Sequence, residues 1–175
     1  MSLRLAPLDR GRRAELEAVL VRGGAFADDE IAVALELFDE TFAASGTTGD
    51  DYAFVGAYDD DDRLRGYACW GPTPGTDRTY DLYWIAVDPG TQHAGCGTLL
   101  LAEVERRLAD RRARMLVVET SSRPTYEGAR AFYARRGYDE AARVDGFYAP
   151  GDDRIILTKR IEQGARTRAG AGTHE

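Results

Sequence analysis

The segment from Thr79 to Leu108 constrains this chain more than any other. Thr79 to Val87 has the composition of a β-strand. It runs directly into Asp88-Pro89-Gly90-Thr91-Gln92-His93-Ala94-Gly95-Cys96-Gly97-Thr98, after which Leu100, Val104 and Leu108, with Leu101 beside them, mark one face of a helix. Gly95 and Gly97 let backbone N–H groups turn toward one point and let a ligand approach closely. The helix behind them adds the positive end of its dipole. Together these make an anion site, most naturally for a pyrophosphate. A plain glycine-rich turn has the same spacing, and Gly-x-Gly alone does not choose between the two. A P-loop would end in Gly-Lys-Ser/Thr, and Gly97-Thr98 lacks the Lys. A dinucleotide loop would place a third Gly at Leu100. Glu119, 22 residues beyond Gly97, stands at the distance of its acidic residue, so that reading is opposed mainly by what precedes the loop.

What precedes it is a meander. Leu3, Leu5 and Pro7-Leu8 suggest a short first strand. Arg12 to Arg22 reads as a helix with Leu16, Val19 and Leu20 on one face and Gly23-Gly24 as its stop. Asp28 or Asp29 can cap a second helix, in which Ile31, Leu35, Phe38 and Phe42 recur at helical spacing, ending at Ser45-Gly46-Thr47-Thr48-Gly49. Tyr52 to Tyr58 and Leu64 to Trp70 form a hairpin with a charged, solvated tip at Asp59 to Asp62. Those four acids lack the turn Gly and bidentate Glu of a calcium loop. After the loop come a helix from Thr98 to Ala109 and a strand from Met115 to Thr120. A short helix follows from Thr125 to Arg136, capped by Thr125 and stopped by Gly137, and then strands Tyr138 to Val144 and Arg154 to Lys159. This order predicts an α/β (α+β) fold, a mixed central sheet of about six to seven strands with helices on both faces. Residues 1–161 form one domain. From Glu162 to Glu175 no large apolar residue occurs, and that stretch reads as a mobile tail.

Composition removes several function classes. A net charge of −7 over 175 residues opposes a nucleic-acid surface, which needs a basic field. Two Cys and two His offer neither a disulfide framework nor metal-ligand spacing. Met1 to Leu5 lacks the apolar run of a signal peptide, and no stretch approaches the roughly 18 apolar residues of a membrane span. The expectation is a cytoplasmic protein without metal, nucleic-acid or membrane partners; a homodimer is left open.

Two motifs resemble one family. Gln92-x-x-Gly95-x-Gly97, between a strand ending Ile85-Ala86-Val87 and a helix, is similar to the acyl-CoA loop of the GNAT superfamily of N-acyltransferases. Ala129-Arg130-Ala131-Phe132-Tyr133-Ala134-Arg135-Arg136-Gly137-Tyr138 resembles the same family's second motif, a helix with Phe-Tyr followed by Gly-aromatic. The resemblance spans about Leu3 to Arg160. It implies acetyl-CoA as co-substrate, held by Gln92, His93, Ala94, Gly95, Cys96, Gly97 and Thr98. It also implies that the strand before the loop splays at a bulge and turns the backbone N–H of Val87 toward the thioester oxygen. Many members carry Asn seven residues before the Tyr, as a cofactor contact; here that position is Tyr126.

Acetyl transfer to an amine needs a neutral amine, a stabilised carbonyl oxygen, a proton for the thiolate and an anchored cofactor. Tyr133 is the candidate acid, because a phenol of pKa about 10 stays protonated at neutral pH; the plain alternative is a core aromatic beside Phe132. Glu119 is the candidate base by its place at a strand end, 14 residues before Tyr133, where relatives that acetylate protein N-termini carry a Glu about a dozen residues before the Tyr. It reads equally as a structural partner of an Arg. Asp81, Tyr83 and a water chain compete with it. Cys96 at a helix N-terminus invites a nucleophile reading, against that of a small filler, and His93 reads as a solvent-facing loop residue.

The acceptor side would be built from Arg12 to Ser45, Gly71 to Arg78 and Gly146 to Asp153. In or beside these segments stand the aromatics Phe26, Trp70, Trp84, Phe147 and Tyr148 and the acids Asp28, Asp29, Glu30, Asp77, Asp145, Asp152 and Asp153. A small-molecule primary amine is the first expectation and a peptide or protein N-terminus the second. A non-catalytic acyl-CoA sensor and a nucleotide-binding domain stand as alternatives of other classes.

Overall fold

The computed structural model describes residues 2–43 and 52–162. The glycine-rich stop expected at Ser45 to Gly49, and the tail beyond Glu162, lie outside the described residues. The chain runs β1 (Arg4–Ala6), α1 (Arg13–Gly23), α2 (Asp28–Thr41), β2 (Ala53–Tyr58), β3 (Leu64–Pro72), β4 (Thr79–Val87), α3 (Cys96–Asp110), β5 (Met115–Ser121), α4 (Glu127–Ala134), β6 (Asp139–Ala149) and β7 (Asp152–Arg160). The sheet order is β1-β2-β3-β4-β5-β7-β6. Every pairing is antiparallel except β4 with β5. That parallel pair needs a crossover, which α3 supplies.

The helices cover the two faces as their apolar stripes require. Leu16, Val19 and Leu20 of α1 and Ala34, Leu35 and Phe38 of α2 pack on Phe54, Tyr67, Cys69 and Ala86. Leu100, Leu101, Val104 and Leu108 of α3, with Tyr133 of α4, pack on Val55, Ala68, Trp70, Leu82, Leu116 and Val118. Gly24 at φ 63° and Gly137 at φ 81° end α1 and α4 in the left-handed conformation that glycine tolerates.

Several local expectations are corrected. Neither Asp28 nor Asp29 caps α2: Ala27 does, and its N–H donates to Glu30 Oε2 at 2.8 Å. Thr125 caps nothing, because Pro124–Tyr126 forms a 3-10 turn that leads into α4. The Asp59–Asp62 tip is not simply solvated. Asp59 is buried and accepts the N–H groups of Asp61 and Arg63 and the Arg65 guanidinium, which hold its carboxyl below the ordinary range. The segment Gly146 to Asp153 is not an open loop: β6 and β7 continue through it to a Pro150-Gly151 turn.

The seat of α3 is set by a glycine on β3. A Cβ at Gly66 would lie 2.9 Å from both the Ala86 carbonyl oxygen and Cys96 Sγ, and 3.1 Å from Leu100 Cδ1. Gly66→Ala therefore forces backbone or helix apart and should destabilise the protein by about 1–3 kcal/mol, read by urea unfolding.

Candidate active site

The site originates in a failure of strand pairing. Along β4, Trp84 faces Cys69 and Leu82 faces Trp70 on β3, so Tyr83 is an extra, bulged residue. On the other edge, β4 pairs with β5 only from Thr79↔Met115 to Leu82↔Val118. Beyond that point β4 continues to Val87 and β5 to Ser121 unpaired with each other. The Asp88 N–H donates to the Arg65 carbonyl of β3 at 2.8 Å. Alternation along the strand then turns the N–H groups of Val87 and Ile85 toward the opened edge.

A cleft of about 750 Å³ follows this opening. Its walls include Gly24, Phe26, Trp84, Val87, Gly95, Gly97, Thr98, Glu119, Tyr126 and Tyr133. At one end stands the N-terminus of α3. The first helical bond runs from the Leu99 N–H to Gly95 oxygen at 2.9 Å, so the preceding N–H groups have no intrahelical acceptor. Gly95, at φ 75°, makes the turn. Gly97 lets the helix pass close to α4, since a Cβ there would lie 3.3 Å from the Phe132 ring. The loop behind is tied down by Asp88, which accepts the Gly90 N–H at 2.9 Å and the Arg22 guanidinium at 2.8 Å. Arg135 and Arg136 line the same end. The Arg136 guanidinium lies 3.7 Å above the Phe132 ring, donates to the Phe132 carbonyl at 2.9 Å and to Thr98 Oγ1, and keeps its buried Nε without a partner among the described residues. These cations beside free helix amides suit phosphate groups.

At the middle of the cleft the two faces of the sheet meet. Tyr133 reaches it from the α3–α4 face. It is 4% exposed and meets Phe132 and Tyr138 edge-on at 5.2 and 5.3 Å. Burial pushes its phenol above the ordinary value, which keeps the proton on it. Glu119 comes from the opposite face, paired with Arg154 of β7. Asp81 shares that face. Burial, and to a lesser degree the nearby Glu119, raise its carboxyl pKa above the ordinary range, and its Oδ2 accepts the Thr73 hydroxyl at 2.7 Å. Across the mouth, the Tyr126 hydroxyl donates to the Ala25 carbonyl at 3.0 Å and joins walls 101 residues apart.

The structure thus brings Val87, Gly95, Gly97, Thr98, Glu119, Tyr126 and Tyr133 to one cleft. Gln92, His93 and Ala94 lie in a 3-10 turn, Pro89–Ala94, just before it; their side chains are outside the description. Cys96 opens α3. It is fully buried, its Sγ packs toward Gly66, and burial pushes the thiol up to about 11, against the activating effect of a helix terminus. The filler reading holds for it. Trp70 belongs to the core and not to the acceptor side. Asp152 is buried against Ser121 and Arg123, and Asp77 pairs with Arg78 and Arg114. Arg135, Arg136 and Arg154 were not singled out from sequence. Arg-Arg next to the helix-ending Gly137 was the available signal for the first two; Arg154 becomes visible only through its register with β5.

Residues 25–138 match the model of the acetyltransferase (GNAT) family. A solved structure of a GNAT-family protein from Desulfovibrio desulfuricans is similar at 40% identity, with 92% of this chain and 100% of that one covered, and a TM-score of 0.86. The ribosomal-protein-S18-alanine N-acetyltransferase of Escherichia coli shares the fold at 20% identity, covering 95% and 98%, with a TM-score of 0.74. An aminoglycoside 6'-N-acetyltransferase complexed with coenzyme A does so at 18%, covering 91% and 97%, with a TM-score of 0.70. No curated protein matches the chain significantly. Among the described residues no group of His, Cys, Asp or Glu could hold a metal ion, and no helix is long and apolar enough to cross a membrane.

The raised Asp81 carboxyl has a stability consequence. Its folded pKa lies above its unfolded one, so the native state favours the protonated form, and that contribution is lost as pH rises from the ordinary carboxylate range through the raised value. Asp81→Asn keeps an acceptor for Thr73 without the charge. Its melting temperature relative to wild type should climb as pH rises above the ordinary carboxylate range; a constant difference would show that the carboxyl titrates normally.

Proposed function

The chain belongs to the acetyltransferase (GNAT) family, and on that premise we propose that it moves an acetyl group from acetyl-CoA to the primary amine of a small molecule by direct attack. The observation that carries this reading is the opened β4 edge, with the Val87 N–H directed into a cleft that Tyr133 reaches from one face of the sheet and Glu119 from the other. Acetyl-CoA fits the donor set: α3 amides, Thr98 and two Arg for its phosphates, and unpaired strand amides for its pantetheine.

The residues divide the work. The Val87 N–H stabilises the thioester oxygen as negative charge grows on it. Glu119, or Asp81 behind it, takes one proton from the acceptor ammonium, so that the free amine forms the new C–N bond as the C–S bond breaks. Tyr133 gives its proton to the departing thiolate and recovers one from the attacking nitrogen. The balance is one amide, one thiol and one released proton. The Tyr126–Ala25 bond shortens the groove in which an extended peptide would lie, and this favours a small acceptor over a protein N-terminus. The remaining site features are catalytic in type, which favours turnover over sensing.

A panel of amines and short peptides, read by thiol release from acetyl-CoA, tests this reading; acetyl-CoA binding without turnover on any member would support the sensor. Tyr133→Phe should lower turnover by ~10²–10⁴-fold with acetyl-CoA affinity nearly unchanged. In Gly97→Val the new side chain would meet the Phe132 ring and the loop's approach surface, so calorimetric binding of acetyl-CoA should be abolished. Wild-type affinity in that variant would place the cofactor elsewhere.

A further inference from the structure

The ion pair between Glu119 and Arg154 has a form that a plain amine acceptor does not explain. Both partners stay open to solvent, with side chains 42% and 29% exposed, and Glu119 lines the cleft. Arg154 stacks under Phe147, its carbon centre 4.9 Å from the ring, and its buried Nε has no partner among the described residues. Asp81 lies within electrostatic reach of both charges. Phe147 and Tyr148 meet edge-on at 5.0 Å, half-exposed, and form an apolar lip beside the guanidinium.

A bare ammonium that reached Glu119 would displace Arg154 and leave that guanidinium without its counter-charge. A diamine would place a second cation against it. A peptide N-terminus brings an ammonium whose neighbouring carboxyl is already an amide. A zwitterion satisfies both groups at once, because one ion pair is exchanged for two of the same kind.

Resting on the N-acetyl-transfer reading above, we propose that the acceptor is a free α-amino acid, its ammonium received by Glu119 and its carboxylate by Arg154. Arg154 is then a specificity residue: it fixes the amine beside the opened β4 edge and frees Glu119 to take the proton. The side chain of the amino acid lies along Phe147 and Tyr148.

The test compares kcat/KM for a set of L-amino acids with those of their decarboxylated amines, their amides and a diamine, using wild-type protein and thiol release. The carboxylate-bearing member of each matched set should lead by ~10–100-fold, the size of one charge-assisted pair. Arg154→Gln should collapse that ratio, chiefly through KM, and Arg154→Lys should retain part of it; a merely structural Arg154 would lower all acceptors alike. Equal or better turnover of the amines, the amides or the diamine by the wild type overturns the proposal and leaves N-acetyl transfer standing. No turnover of any acceptor while acetyl-CoA binds overturns both readings. The wild-type ratio decides the matter even if the Arg154 variants fail to fold.

Discussion

The parting of two parallel strands is the constraint on which the rest of this structure depends. Paired sheets satisfy their own amides, and an interior sheet edge with unpaired N–H groups is costly unless something else accepts from them. Here the cost arises at a defined place. The extra residue Tyr83 turns β4 away after Leu82, and β5 is held straight by its antiparallel partner β7 as far as Ser121↔Arg154. The open wedge is therefore fixed by pairing on its outer sides. An extended ligand with its own amide groups has the donors and acceptors that such an unfinished ladder lacks.

The wedge also decides which residues can act together. Tyr133 belongs to the core between the sheet and α3–α4, while Glu119, Asp81 and Arg154 stand on the face covered by α1 and α2. In a closed sheet these groups would be separated by backbone. Where the strands part, a phenol embedded in apolar surroundings and Glu119 of the charged cluster line the same space. Burial keeps the Tyr133 phenol protonated, while the other face carries the two carboxylates Glu119 and Asp81.

The order of elements was legible because periodicity is a local property. The alternation of Thr79 to Val87 and the stripe of Leu100, Val104 and Leu108 report which face of each element is covered. The Gly95-x-Gly97 loop was legible because left-handed and closely packed backbone both demand glycine. What stayed hidden depends on register. Asp59 looked like part of a solvated run until the hairpin folded it back onto Arg65. Cys96 sits one residue from Gly97 yet points about 100° around the helix from it, toward Gly66 rather than Phe132, a phase that is fixed only once the first turn is placed. Arg154 pairs with Glu119 across a strand pairing between residues 35 apart, and no spacing along the chain announces it.

The anchoring of the loop before α3 shows how the two halves of the domain are joined. Asp88 ends β4, caps the 3-10 turn that carries Gln92 to Ala94, and receives the Arg22 guanidinium from α1, with Arg65 of β3 at 3.7 Å. One buried carboxylate therefore holds the loop, a helix of the acceptor side and the central hairpin. Gly24, the next wall of the cleft, follows Arg22 by two residues. The Arg22–Asp88 ion pair thus ties the end of α1 that borders the cleft to the carboxylate that holds the loop.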